Sequence, residues 1–211
     1  MEKYGEIPKK FTSKWFEYVW EYYKWHIIAV IAAVIAVFYT WYQFATRTVY
    51  DLTICFAGNT LIGEQAEERL ADALTEVIED IDGDGERNVR ILDLSAGETK
   101  DFEMQYMMEQ KLHLELQAGD TYLFIVSKDT ADMLTSNSSI DGLFAKTAEW
   151  CGEKGENEFF AEVEDSAVLR QSGMIYKGLH AGLRNFVAGR DSETDAAMRN
   201  NAILAGQAIL K

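Results

Sequence analysis

The chain has 211 residues, 48% of them hydrophobic, and a formal net charge of −15. That acidity disfavours nucleic acid and anionic lipid as partners, because both would be repelled. The two cysteines and three histidines are far apart in sequence and offer no zinc spacing.

Residues 1–25 read as a cytoplasmic or interfacial segment. They carry five lysines and four glutamates, a net +1, so the negative charge lies beyond residue 25. Aromatics crowd the stretch 11–25, FTSKWFEYVWEYYKW. Rings with polar tips favour the headgroup region, which predicts an N-terminal interfacial helix lying along the inner leaflet.

Residues 26–46 read as a transmembrane helix. From Ile27 to Ala45 there is no charge, and only Thr40 and Gln43 are plainly polar. Nineteen residues at about 1.5 Å each span roughly 28 Å, close to the ~30 Å hydrocarbon core of a bilayer. The run is apolar on every face from Ile27 to Phe38, unlike an amphipathic core helix. It is also too long, and too poorly followed by Phe44-Ala45-Thr46-Arg47, for a cleaved signal. Lys3, Lys9, Lys10, Lys14 and Lys24 precede the span and Arg47 alone follows it closely. This skew places the amino terminus inside and residues 47–211 outside the cell membrane as one extracytoplasmic α/β domain.

In that domain the period alternates between strand and helix. Val49 to Ala57 reads as a buried strand, and residues 64–81 as a helix with Leu70, Leu74 and Ile78 on its apolar side. Val89 to Leu94 is a second strand. Residues 101–117 form a second helix with Met104, Met108, Leu112 and Leu116 four apart and Asp101 at its cap. Thr121 to Ser127 is a third strand, and Asp129 to Leu134 a short helix. A βαβαβ order predicts a small, mainly parallel sheet with helices on its faces. Ligands of such sheets bind at the strands' carboxyl ends, here Gly58-Asn59-Thr60, Ser95-Ala96-Gly97 and Ser127-Lys128-Asp129. These are also the residues of which any loop is made. Further on, Leu143-Phe144 and Phe159-Phe160 read as core, Val168-Leu169 as a short strand, and Met174 to Val187 as one or two strands. Ser192 and Asp195 have capping-box spacing ahead of a last helix, with Met198, Ala202, Ala205 and Ile209 on one face.

Asp80-Ile81-Asp82-Gly83-Asp84-Gly85 is the sharpest local motif. Carboxylates at positions one, three and five with glycine at six match the opening of an EF-hand calcium loop, so Asp80, Asp82 and Asp84 are candidate calcium ligands. Position twelve, which should be a bidentate Glu, is Ile91. The alternative is a polar, glycine-bent turn. No nucleophile elbow, Walker loop or dinucleotide fingerprint is present, so nothing argues for an enzyme. Asn137-Ser138-Ser139 is a formal glycosylation sequon, meaningful only in a eukaryotic source. Cys55 and Cys151 suit either a disulfide or two buried free thiols.

The aromatic start Tyr22-Tyr23-Lys24-Trp25-His26, the single span, the Asp80 to Gly85 turn and Gly119-Asp120-Thr121-Tyr122-Leu123-Phe124 resemble uncharacterised single-pass membrane proteins of clostridia-type bacteria. Their outer domain is similar to part of a type 2 extracellular solute-binding protein, in which a helix often ends in Ala-Gly-Asp before a strand, as at Ala118-Gly119-Asp120. The chain is shorter than two complete lobes, and no ligand-binding residue is carried over. The expectation is therefore an anchored, solute-binding-like domain in the bilayer that binds an envelope protein or a small ligand, with calcium as the one candidate cofactor. An anchored envelope enzyme, metal-dependent or not, and an accessory subunit of a membrane complex are the alternatives.

Overall fold

A computed structural model describes residues 10–45, 48–58, 62–97, 102–136, 142–152, 157–163, 165–174, 178–186 and 192–211, the side chains of Lys14, Tyr18, Phe44 and Ala45 excepted. Lys3, Lys9, Arg47, Asn59, Thr60, Asp101, Val187 and the sequon at 137–139 lie outside the described residues. The chain divides into two compact units, Met1–Thr48 and Val49–Lys211.

In the first unit, Ser13–Ala45 is one unbroken helix of 33 residues, α1. At about 1.5 Å per residue it is roughly 50 Å long. The aromatic stretch, expected as a helix leading into the span, is continuous with the apolar run in this one helix. The reason is local: α1 contains no proline or glycine to interrupt its hydrogen-bond ladder. Val19–Gln43 is long and apolar enough to cross a membrane, and none of its most apolar stretch is buried in the protein. Ala29, Ala32, Ala33, Ala36, Thr40 and Gln43 share one face, an arc of about 100° at 3.6 residues per turn, while Ile, Val, Phe, Tyr and Trp fill the rest. Thr40 donates its hydroxyl to the Ala36 carbonyl at 2.8 Å, and Gln43 Nε2 donates to the Tyr39 hydroxyl at 3.1 Å.

The second unit is built on strands β1 (Leu52–Gly58), β2 (Val89–Ser95), β3 (Leu123–Ser127), β4 (Phe160–Glu162) and β5 (Leu179–Leu183). They form one sheet in the order β2-β1-β3-β5-β4. β1 pairs in parallel with β2 and β3, and β5 pairs antiparallel with β3 and β4. The parallel half is the expected βαβαβ unit, with α2 (Glu64–Thr75) joining β1 to β2 and α3 (Phe102–Ala118) joining β2 to β3. The path leads outward from β1 and then back past it, so crossovers of one hand put α2 and α3 on opposite faces.

Alternate residues of the strands confirm this. Ile54, Phe56, Leu123 and Ile125 pack with Leu70 and Leu74 of α2 and with Ala202, Ala205 and Ile209 of α7 (Glu193–Ile209). Cys55, Ala57, Phe124 and Val126 face the other way, against Leu112 and Leu116 of α3 and Ala131 and Leu134 of α4 (Lys128–Ser136). The two cysteines therefore belong to opposite cores and are not bonded to each other. Burial pushes the Cys55 thiol far above its ordinary range, with Glu115 and Asp93 adding to the shift.

Two expectations change. Helix α2 stops at Thr75 rather than near 81, where the Val77 amide bonds to the Leu74 carbonyl only three residues back and tightens the turn. Ile78 stays buried, so the apolar period continues through a tightened turn. Val168-Leu169 belongs to a helix, α6 (Ala167–Ser172), because Ser166 accepts the Leu169 amide at 3.2 Å and caps it. The Ser192 cap of α7 is formed as expected, its hydroxyl accepting from the Asp195 amide at 3.1 Å and donating to the Asp195 carboxylate at 2.6 Å. A one-turn helix, α5 (Thr147–Trp150), completes the unit.

Candidate functional site

The chain leaves β1 towards the α2 face and leaves β3 towards the α4 face, although β1 and β3 are neighbours. Where connections part in this way, the carboxyl edge of a sheet opens into a crevice. A cavity of about 280 Å³ lies there. Its floor is the strand ends, Ala57, Gly58, Leu94 and Ala96. One wall is α3, through Gln105, Met108, Glu109 and Leu112; the other is Ser127 at the end of β3 and the start of α4, through Asp129, Thr130 and Met133. Each of the three strand ends singled out in the sequence thus contributes a lining residue.

Gly58 makes the floor close. Its φ of +117° suits glycine alone, and a Cβ there would stand 2.3 Å from Ser127 Oγ. Its carbonyl accepts the Ala96 amide at 2.9 Å, which extends the β1–β2 pairing to the rim. Ser127 and Thr130 share a hydroxyl contact at 3.0 Å, and Ser127 Oγ accepts the Thr130 amide at 3.4 Å, at the head of α4. The cavity is therefore lined by Leu, Met and Ala side chains and, in similar measure, by the polar side chains of Gln105, Glu109, Ser127, Asp129 and Thr130. No family model, curated protein or solved structure matches the chain. What the cavity can do is read from its own chemistry.

The acidic turn forms a different group. Carboxylate oxygens of Asp51, Asp80 and Asp82 lie within 4.8 Å of one another. Asp84 is not of this group; it accepts the Glu86 amide at 2.7 Å. Asp80 accepts the Gly83 amide at 2.7 Å and the Gly85 amide at 2.9 Å, and these two bonds, Gly85 first, hold its carboxyl below the usual Asp range. Asp82 sits above that range: the Asp84 amide bond works against the rise, but desolvation and the charge of Asp84 outweigh it. Asp51 is 1% exposed and spans the loop's base, accepting the Ile81 amide at 2.8 Å and the Asn88 amide at 2.7 Å. Ile91, at the twelfth position, is on β2.

Sequence reasoning missed Asp51, which stands 29 residues before Asp80 and takes part through the fold. The only local signal was a carboxylate opening an otherwise apolar strand. It also missed Asn201, 1% exposed on α7, whose amide donates to the carbonyls of Asp51 and Glu79 at 3.1 and 2.8 Å and accepts the Glu79 amide at 2.9 Å.

Proposed function

We propose that the chain is a single-pass membrane protein, anchored by α1 with its amino terminus in the cytoplasm, whose α/β domain acts outside the membrane by binding a small ligand, in the manner of part of a solute-binding protein. The observation that carries the binding reading is the cavity at the parting of β1 and β3, in which apolar side chains stand beside converging polar ones. Small-molecule sites likewise set polar groups among apolar ones, and about 280 Å³ is just below their usual ~300–1,000 Å³. An enzyme gains no support from the described lining residues, whose hydroxyls at Ser127 and Thr130 bond to each other and not to a base. The anchor reading is supported by aromatic residues at both ends of the apolar run, Trp25 and Trp41, about 24 Å apart along a helix.

A fragment screen on the full chain in lipid nanodiscs tests the binding reading, with the methionine methyl groups as the NMR signal. Binders should move Met108 and Met133 together and leave Met198 of α7 unmoved, and Ala96→Leu, which fills the cavity, should abolish the response. Binders that act only elsewhere would overturn it.

A second reading, an accessory subunit of a membrane complex, is favoured by the alanine, threonine and glutamine face of α1. Small side chains let a second membrane helix approach closely, and polar ones can bond across the contact. In that case labelled α1 segments in vesicles should show energy transfer that Ala33→Ile removes.

A further inference from the structure

The lining of the cavity has one sign of charge, and from it we infer that the ligand is a small organic cation: an ammonium group carried on an apolar body about the size of a phenyl ring. The inference rests on the cavity being the binding site proposed above. Two carboxylates, Glu109 on α3 and Asp129 on α4, face the space from its opposing walls, and among the described lining residues there is no Lys, Arg or His. They are not equivalent. Asp129 lies in the first turn of α4, where the helix terminus already offsets a negative charge. Glu109 lies in the middle of the 17-residue α3, remote from either terminus, so its charge is not offset in this way.

The arrangement of polarity fixes where each part of the ligand goes. Leu94, Met108, Leu112 and Met133 line the space with aliphatic and thioether groups. An apolar body leaves water there, and thioethers suit an aromatic ring. Glu109 and Asp129 are themselves exposed, so an ammonium head beside them stays hydrated and avoids the cost of burying a charge. Ser127 and Thr130 offer hydroxyl oxygens to its N–H groups. An anion with the same body would meet two like charges.

Three probes with one body and three heads test this on the full chain in nanodiscs of zwitterionic lipid: phenethylammonium, 2-phenylethanol and phenylacetate, each titrated against the Met108 and Met133 methyl signals. Phenethylammonium should bind about three- to fivefold more tightly than the alcohol, the range of exposed charge pairs, and phenylacetate more weakly than both. Glu109→Gln should remove most of the preference. Asp72→Asn, which neutralises an exposed carboxylate on α2 across the sheet, should leave the preference intact. If the alcohol binds as well as the cation, or if Asp72→Asn matches Glu109→Gln, the cavity remains a binding site and the assignment of charge is wrong. If none of the three moves Met108 and Met133, the assignment is overturned, and the fragment screen on the same signals then decides whether the cavity reading falls with it.

Discussion

Gly58 is where the backbone and the cavity constrain each other most tightly. A methyl group at this position meets Ser127 Oγ at 2.3 Å and Thr130 Oγ1 at 3.0 Å while the backbone is held at positive φ. Gly58→Ala should therefore destabilise the domain by about 2 kcal/mol or more, by strain and displacement of the α4 head; urea unfolding measures it, and a change under about 0.5 kcal/mol would contradict the geometry. Gly182 is constrained differently, by the Phe160 ring 2.4 Å from where its Cβ would be, which lets β4 and β5 pair closely. Glu67 gives a pH signature. Burial raises its carboxyl above the ordinary value, and the charges of Asp93 and Glu64 add to the rise. A carboxyl raised on folding favours the folded state while protonated, and that stability is lost as pH rises from the unfolded value of about 4.3 through the folded one. Glu67→Gln should accordingly raise the melting temperature at pH 7 and leave it nearly unchanged at pH 4; an equal rise at both would point to packing instead of charge.

At the scale of elements, the long-range ties matter more than helix propensity. Asn201 joins α7 to the start of β1 and to the α2–β2 connection through three hydrogen bonds. Asn201→Leu leaves buried backbone groups without partners, and should cost about 2–4 kcal/mol in urea unfolding. The acidic turn is held by its own amides: Ile81, Gly83, Gly85 and Asn88 all donate to Asp51 or Asp80. Calcium at several millimolar, read by the melting temperature of the domain, tests the turn: a rise that Asp82→Ala abolishes makes Asp80 and Asp82, joined by Asp51, a calcium site, and no change leaves a polar turn held by its own amides. The elements legible in the sequence were those with a strong signal: β1 to β3 are short apolar runs, β1 and β3 buried on both faces, and α2, α3 and α7 each bury one regular face. β5 was seen only loosely because Leu179-His180-Ala181-Gly182-Leu183 lacks β-branched residues, and its antiparallel direction depends on β3 pairing, which no local signal carries. α6 was read as a strand because six residues are too few for a helical period to outweigh Val168-Leu169.

For the whole molecule, the change of period after the apolar run, read as a boundary between residues 46 and 47, lies close to the division between the two compact units at Thr48 and Val49. The cavity could be guessed only as three loops; the walls that α3 and α4 give it come from the order of the strands. Everything proposed for the site depends on the compartment in which the domain works. The direct test is sided labelling in intact cells of single-cysteine variants, with Cys55→Ala and Cys151→Ser as background. Asp84→Cys reports on the α/β domain and Ser13→Cys on the start of α1, both read with a membrane-impermeant maleimide. Labelling at position 84 without lysis, and at position 13 only after lysis, is the expected result. The reverse pattern, or both positions labelled only after lysis, would contradict an outward-facing anchored domain.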